Sequence, residues 1–311
     1  MRHLTKRDKY SKIAFYIFVA ILIIAVGIHL YGKYNEAKQA REAMAKSDGL
    51  FTAHFIDVGQ GDATLLCSPD GRNMLIDCGP TSSADYLVKY LSDCDVKSLE
   101  YLILTHPHED HYGGAFRVIE SFPVENFIVH EDFADNYPCN KLIYEMSNDS
   151  FDTETQIIET QKGQSFEFAD CASFEIISPD ETDPDDLNDS SLCFIVEFGD
   201  TAFMFTGDAE KGSEKDILNA GYDIDSDVFQ AGHHGSRSSN TQAFVEALSP
   251  EYVVISCKES NRYGHPHKEA LEVFEENNVI VLRTDILGSI VISSDGENVE
   301  YMENFYESVA K

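Results

Sequence analysis

The fold class this sequence predicts is α/β: a four-layer αββα domain behind one N-terminal transmembrane helix. Three observations predict it. A single long apolar run, Ile13 to Leu30, carries no formal charge. Beyond position 49 the chain breaks into short β-rich segments, first close together across glycine turns and later alternating with helical stretches. Several of these segments, such as FIVEF and VVIS, are apolar almost throughout, as suits strands covered on both faces.

Taken in order, residues 1–12 form a basic tail with Arg2, Lys6, Arg7, Lys9 and Lys12. Residues 13–31 are long enough, with their flanks, to cross a bilayer as a helix of about 20 residues. The positive tail places the N-terminus in the cytoplasm and everything after the span outside, so the expected location is a single-pass membrane protein with an extracellular C-terminal domain. Ala43-Met44-Ala45 resembles a signal-peptide cleavage site, but it lies far past an apolar run that is too long for such a peptide. Residues 32–48 are polar and Ala-rich and read as a linker. The domain at 49–311 opens with FTAHFIDV, ATLLC and NMLIDC, separated by GQGD and SPDGR turns. A helix around 84–91, the strand YLILT and the strand FIV at 127–129 follow. Residues 131–165 are polar and irregular, with a short helix near Lys141. The second series begins near Phe174: FEIIS, LCFIVEF, AFMFT, a helix at 210–219, DVFQA, a helix at 241–248, YVVIS, a helix at 268–277, VIVLR and two last strands.

Charge is uneven. Residues 1–46 hold nine Lys/Arg and three Asp/Glu, leaving 14 basic against 52 acidic residues in the remainder, a balance of −38. Such a domain repels polyanions at long range. The seven cysteines show neither a CxxC pair nor regular spacing, which argues against a disulfide framework or a thiolate metal site.

The chemistry gathers in THPHEDHYGG at 105–114, directly after the strand YLILT. His106 and His108 alternate across Pro107 and can face one point. Asp110 and His111 can serve a second ion beside the first. Imidazole and carboxylate suit zinc, and also manganese or iron. His54 and His130 have no partner in sequence and read as structural; Asp62 reads as ordering the GQGD turn.

FIDVGQGDATLL at 55–66, LIDCG at 75–79, LILTHPHEDHYGG at 102–114, FTGD at 205–208, GHHGSRSS at 232–239 and NRYGHP at 261–266 together resemble the metallo-β-lactamase-fold hydrolases. Within them, they resemble the soluble domain of ComEC-type DNA-uptake channel proteins. The resemblance implies the αββα fold and a two-metal site of Zn²⁺ or Mn²⁺. Asp208 would bridge the two ions, since one carboxylate offers two oxygens. Asp57 would be the supporting aspartate that orients a ligating histidine. The family's histidine before TGD is missing here; LNDSSLCF stands in its place, with Asn188 and Asp189 near the expected position. His234 is the expected substitute, and His233, beside it on an extended segment, would contact substrate or donate a proton. The reverse assignment is the alternative. The resulting sets are His106, His108 and His234 on one ion, Asp110, His111 and His265 on the other, and Asp208 between. Tyr263 could hydrogen-bond a phosphoryl oxygen, with Arg237 and Arg262 nearby in sequence, and His267 reads as a surface or capping residue.

Two such cations bind a hydroxide, polarise a P–O group and steady the leaving oxygen, so Asp110, His233 and Tyr263 are the candidate catalytic residues. Three functions are expected in turn. The first is a phosphodiesterase or nuclease acting on DNA in a ComEC-like competence role, one anchor helix standing in place of the channel and a separate channel protein as partner. The second is a phosphorylcholine-esterase-like hydrolase of cell-envelope phosphodiesters, with an envelope polymer as partner. The third is a non-catalytic surface binding module, which the intact ligand set opposes.

Overall fold

The computed structural model describes residues 49–134, 138–147, 155–170, 172–179, 182–183 and 185–303, with Val19 alone before them. Among the described residues no helix is long and apolar enough to cross a membrane, and the expected span at 13–31 lies outside them. Residues 47–311 form one compact unit.

That unit begins with a meander: β1 (Phe51–Phe55), β2 (Thr64–Cys67) and β3 (Asn73–Ile76). The helix α1 (Ala84–Asp93) buries Leu87, Tyr90 and Leu91 and leads to β4 (Leu99–Ile103). Two short helices, α2 (Glu109–Tyr112) and α3 (Ala115–Ile119), precede β5 (Val124–His130). After α4 (Glu131–Ala134) and α5 (Cys139–Ser147) come β6 (Gln156–Thr160), β7 (Ser165–Phe168), β8 (Ala172–Ser178), β9 (Cys193–Phe198) and β10 (Thr201–Phe205). Then α6 (Lys211–Ala220), β11 (Val228–Gln230), α7 (Gln242–Leu248), β12 (Tyr252–Ile255), α8 (Lys268–Glu276) and β13 (Ile280–Arg283) alternate. The fold closes with α9 (Thr284–Leu287), β14 (Ile290–Ser294) and β15 (Val299–Tyr301).

Among the described residues one sheet runs β15-β14-β1-β2-β3-β4-β5-β6 and the other β13-β12-β11-β10-β9-β8-β7. Phenylalanines fill the space between them. Phe51 of the first sheet stacks on Phe198 of the second at 4.9 Å and meets Phe203 at 5.3 Å, while Phe55 faces Phe205 at 6.3 Å. The outer faces bury separate aliphatic layers. Leu65, Leu75 and Leu102 pack with Leu87 and Val118 on one side, and Phe229 and Val253 with Ile217, Phe244 and Phe274 on the other. The order helix, sheet, sheet, helix follows. The irregular reading of 131–165 missed β6, whose half-exposed residues pair parallel to β5 at the sheet edge and lack a strong apolar signal.

Each sheet joins a meander to parallel strands. β3, β4, β5 and β6 run parallel, as do β10, β11, β12 and β13. Parallel neighbours end at the same edge, so loops after β3, β4, β10, β11 and β12 meet there. Two glycines allow the approach. Gly61 has φ +141°, and a Cβ there would lie 2.3 Å from the Asp110 carbonyl oxygen. Gly207 has φ +50°, and a Cβ there would lie 2.7 Å from Thr105 Oγ1. No L side chain fits either place without moving backbone or a buried neighbour.

Candidate metal centre

The loops after these strands bring the histidine segment, Asp208 and the GHHG turn to one pocket of about 300 Å³. Its lining includes Gln60, His108, Asp110, Asn188, Asp208, His233, His234, Tyr263 and His265. Asp208 is buried at the centre. Its Oδ1 lies 3.2 Å from His111 Nε2 and 3.6 Å from His234 Nε2. Its Oδ2 lies 3.8 Å from His106 Nε2 and 3.6 Å from His233 Nε2. The two carboxylate oxygens thus serve two different histidine pairs.

Four groups among the described residues have their ligand atoms within 4.8 Å of one another: His106, His108 and Asp208; Asp110, His111 and His234; Asp62, Asp77 and His111; and Asp62, Asp208 and His234. The expected partition put His234 with His106 and His108. In the structure His234 Nε2 sits 3.6 Å from Asp110 Oδ2 and 3.6 Å from Asp208 Oδ1. The premise that His233 and His234 diverge along an extended segment is corrected. They occupy a tight turn after β11 with φ +50° and +54°, and this left-handed pair turns both rings toward Asp208. Such backbone is strained for histidine and persists because the loop is held from outside and within. The Asn240 side chain bonds Gly232 N, Gly232 O and Ser236 O, and the buried Glu214 accepts from the Thr241 N–H at 2.9 Å. His265, expected beside Asp110 and His111, lines the same pocket as Asp110 with a buried, unpartnered Nδ1 and belongs to none of these groups. Its ring lies against those of His233, at 5.4 Å, and Tyr263, at 5.6 Å.

The supporting aspartate is a second correction. The carboxylate of Asp57 accepts from the Gly59 N–H at 3.2 Å, a local turn contact. Asp77 holds the histidine instead: its Oδ2 accepts from His111 Nδ1 at 2.7 Å and from Thr105 Oγ1 at 2.7 Å, and its Oδ1 accepts from the Thr105 N–H at 2.9 Å. FIDVG and LIDCG look alike in sequence. The signal that separates them is strand pairing: β3 runs parallel to β4 with Ile76 opposite Ile103, which sets Asp77 beside the start of the histidine loop. Asp62 is buried with its Oδ1 3.4 Å from His234 Nδ1, so it faces a histidine as well as shaping its turn. Of Asn188 and Asp189, Asn188 faces the pocket with a buried, unpartnered Oδ1. Asp189 instead accepts from the N–H groups of Glu210 and Ser213 at the start of α6.

Hydrogen bonding fixes tautomers. An Nδ1–H must face Asp77 from His111, and another must face the Ser256 carbonyl oxygen, 3.0 Å from His234 Nδ1. A neutral ring held this way would aim its Nε2 lone pair at Asp208. His111 Nε2, His234 Nε2 and Asp208 Oδ1 are all buried without hydrogen-bond partners. Lone pairs facing a carboxylate oxygen at 3.2 Å need a proton or cation between them. Burial alone would lower the pKa of His111 and His234, yet Asp208 and the second carboxylates, Asp77 and Asp62, hold both well above the ordinary imidazole range. Burial opposes ionisation of Asp208, but the charges of His111 and His234 keep it well below the usual carboxylate range. The donor set therefore fits divalent cations, and Nε2 is the ligating atom the second-layer carboxylates leave free.

Cysteine chemistry is absent from this pocket. The cysteines among the described residues are free, and burial pushes the thiols of Cys67, Cys139 and Cys257 up to about 12. His54, buried, bonds Tyr90 Oη and Thr52 Oγ1, and His130 Nδ1 accepts from the Asp132 N–H; both lie outside the pocket.

Residues 56–258 match the model of the metallo-beta-lactamase superfamily. The chain is 32% identical over 253 residues to ComE operon protein 3 of Bacillus subtilis (strain 168), covering 76% of this chain and 32% of that protein. It is 30% identical over 251 residues to competence protein ComA of Neisseria gonorrhoeae, covering 80% and 33%. The chain thus spans about a third of the length of these curated relatives. Among solved structures, CmlA, a diiron beta-hydroxylase from Streptomyces venezuelae, superposes with a TM-score of 0.54 at 11% identity, over 78% of this chain and 54% of that one. At that identity the likeness is one of fold.

Proposed function

The chain belongs to the metallo-beta-lactamase superfamily, and from that premise we propose a binuclear, metal-dependent phosphodiesterase that acts as a nuclease on DNA in a ComEC-like competence role. The observation that carries the reading is the buried convergence of His111 Nε2, His234 Nε2 and Asp208 Oδ1, which no hydrogen-bond partner satisfies. The competence names of the relatives support DNA as the substrate.

In this reading His106, His108 and Asp208 would hold one divalent ion, and Asp110, His111, His234 and Asp208 the other, with Zn²⁺ or Mn²⁺ as candidates. When bound, such a pair supplies Lewis acidity toward a phosphoryl oxygen and stabilises charge on the oxygen that leaves. The protein's own part is orientation. Asp77 and the Ser256 carbonyl fix which nitrogen each ring presents, and Asp62 faces His234 beside them. His233 is the candidate proton donor: Glu210 Oε1 lies 3.2 Å from its Nδ1, while Nε2 faces the pocket and the ring stays partly exposed. Tyr263 and Asn188 reach the same pocket from opposite loops and can contact the phosphoryl group.

The proposal includes the membrane. Residues 13–31 anchor the chain and leave the catalytic domain outside the cell, where a separate channel protein would take up what survives cleavage. Protease treatment of intact cells should remove the domain if so.

The test uses the full chain, stripped and reloaded with Mn²⁺ or Zn²⁺, on labelled single- and double-stranded DNA, with His108→Ala as control. Cleavage that requires metal and is lost in the variant supports the reading. Two bound metals with inert DNA would sink the nuclease and favour envelope phosphodiesters.

A further inference from the structure

A second groove of about 490 Å³ continues from the metal pocket. The two share Gln60, Glu109, Asp110 and Tyr263, and the groove adds Lys258 and Arg262. Carboxylates outnumber cations heavily, and several of the described cations sit against one: Arg72 on Glu100, Arg117 on Asp85, Arg283 on Asp285, with Lys89, Lys97 and Lys268 on neighbouring acids. Among the described residues, Lys258 and Arg262 pair with no carboxylate, although Glu109 and Asp110 line the same groove. Glu109 is engaged elsewhere, its Oε1 accepting from the Thr81 N–H at 2.8 Å.

Three further features point to an occupant. Tyr263 is an aromatic side chain 47% exposed. The Arg262 guanidinium lies 4.7 Å from its ring centroid, and His265 stacks on it at 5.6 Å with 22° between the planes. Guanidinium, phenol and imidazole are thus grouped from the groove to the metal pocket. At the junction, the Gln60 Nε2 amide is buried without a partner, while its Oε1 accepts from the Lys258 N–H at 3.4 Å. An unspent buried donor beside two unpaired cations calls for an acceptor-rich anion. An aromatic platform beside it calls for a flat ring.

We propose that this groove is a subsite for the nucleotide next to the scissile phosphate of single-stranded DNA. Gln60 and Lys258 take the neighbouring phosphate, and the base stacks on Tyr263, with Arg262 serving both. Stacking requires an unpaired base, so the subsite selects single strands over duplex. Two local cations and a stacking face let an acidic domain hold a polyanion that its overall charge repels. The subsite rests on the nuclease reading, but its test does not depend on cleavage.

The experiment is fluorescence anisotropy with the full chain in EDTA, using a fluorescein-labelled ten-residue oligothymidylate and an abasic oligomer of the same length. The expected result is tighter binding of the oligothymidylate by about tenfold, within the range of one stacked base. Tyr263→Ala should abolish that preference, and the Lys258→Ala/Arg262→Ala double variant should weaken both probes. Equal binding of the two probes by wild type, or a preference that survives Tyr263→Ala, overturns the subsite; tighter abasic binding overturns it in favour of a sugar–phosphate envelope polymer. Hydrolysis of DNA by the Mn²⁺-loaded chain is scored separately. A Tyr263-dependent preference without hydrolysis keeps the subsite and removes the nuclease, and hydrolysis without the preference does the reverse.

Discussion

Asp77 ties the backbone of Thr105 and the ring of His111 to one carboxylate, so it sets both the path of the metal-binding loop and the tautomer of a ligand. Asp77→Asn places an amide N–H or a weaker acceptor against His111 Nδ1. Metal affinity should fall about 10–100-fold, read by competition with a chromophoric chelator. The fold should persist, since the shape is unchanged. His54 makes a different prediction. Burial lowers its pKa from 6.5 to about 4, so it is neutral in the fold. Below about pH 6.5 the unfolded chain binds a proton that the folded protein refuses until about pH 4. Stability is therefore full above that window and falls as pH drops through it, by about 3 kcal/mol from this residue. Urea midpoints of the metal-free protein should decline between these pH values, and His54→Gln should flatten the decline. An unchanged slope would assign the loss to other groups. The residue types at the site were legible in the sequence because H-x-H-x-D-H is dense and specific. Which aspartate stands behind His111 was not, because Asp57 and Asp77 sit in near-identical words.

At the level of elements, the site depends on parallel strands ending together. β3 and β4 in one sheet, and β10, β11 and β12 in the other, deliver Asp77, the histidine loop, Asp208, the His233–His234 turn and His265 to one edge. Most strands were readable from their apolar runs. The GHHG turn was not, since its left-handed backbone comes from packing: Asn240 and Glu214 pin the loop, and nothing local prefers that conformation. Gly207 joins the two sheets' contributions, at a point where an added Cβ would meet Thr105. Gly207→Ala should destabilise the protein by about 1–3 kcal/mol in urea and loosen metal retention, because φ +50° and a 2.7 Å contact both penalise a methyl group there. Wild-type stability with normal metal content would mean that the loop yields freely.

For the whole molecule, charge is the dominant bulk property. The formal net charge of the chain is −32, and the remainder after residue 46 is more acidic still. Self-repulsion should be relieved by screening, so the melting temperature of the metal-free protein should rise from low salt to about 0.5 M NaCl, where the Debye length shrinks to a few ångströms. A fall instead would mean that local ion pairs outweigh the net charge. The sequence by itself determined the α/β class, most of the strand order along the chain, the residue types of the metal centre and its acidic setting. These are local signals: apolar period, turn residues, and ligands spaced closely on one loop. Only the tertiary structure decided which histidines share an Asp208 oxygen, that His233 and His234 both reach it, that Asp77 is the supporting carboxylate, and that Lys258, Arg262 and Tyr263 share a groove with the site. Each is a relation between residues far apart in the chain, and it exists only once parallel strands bring their ends to one edge.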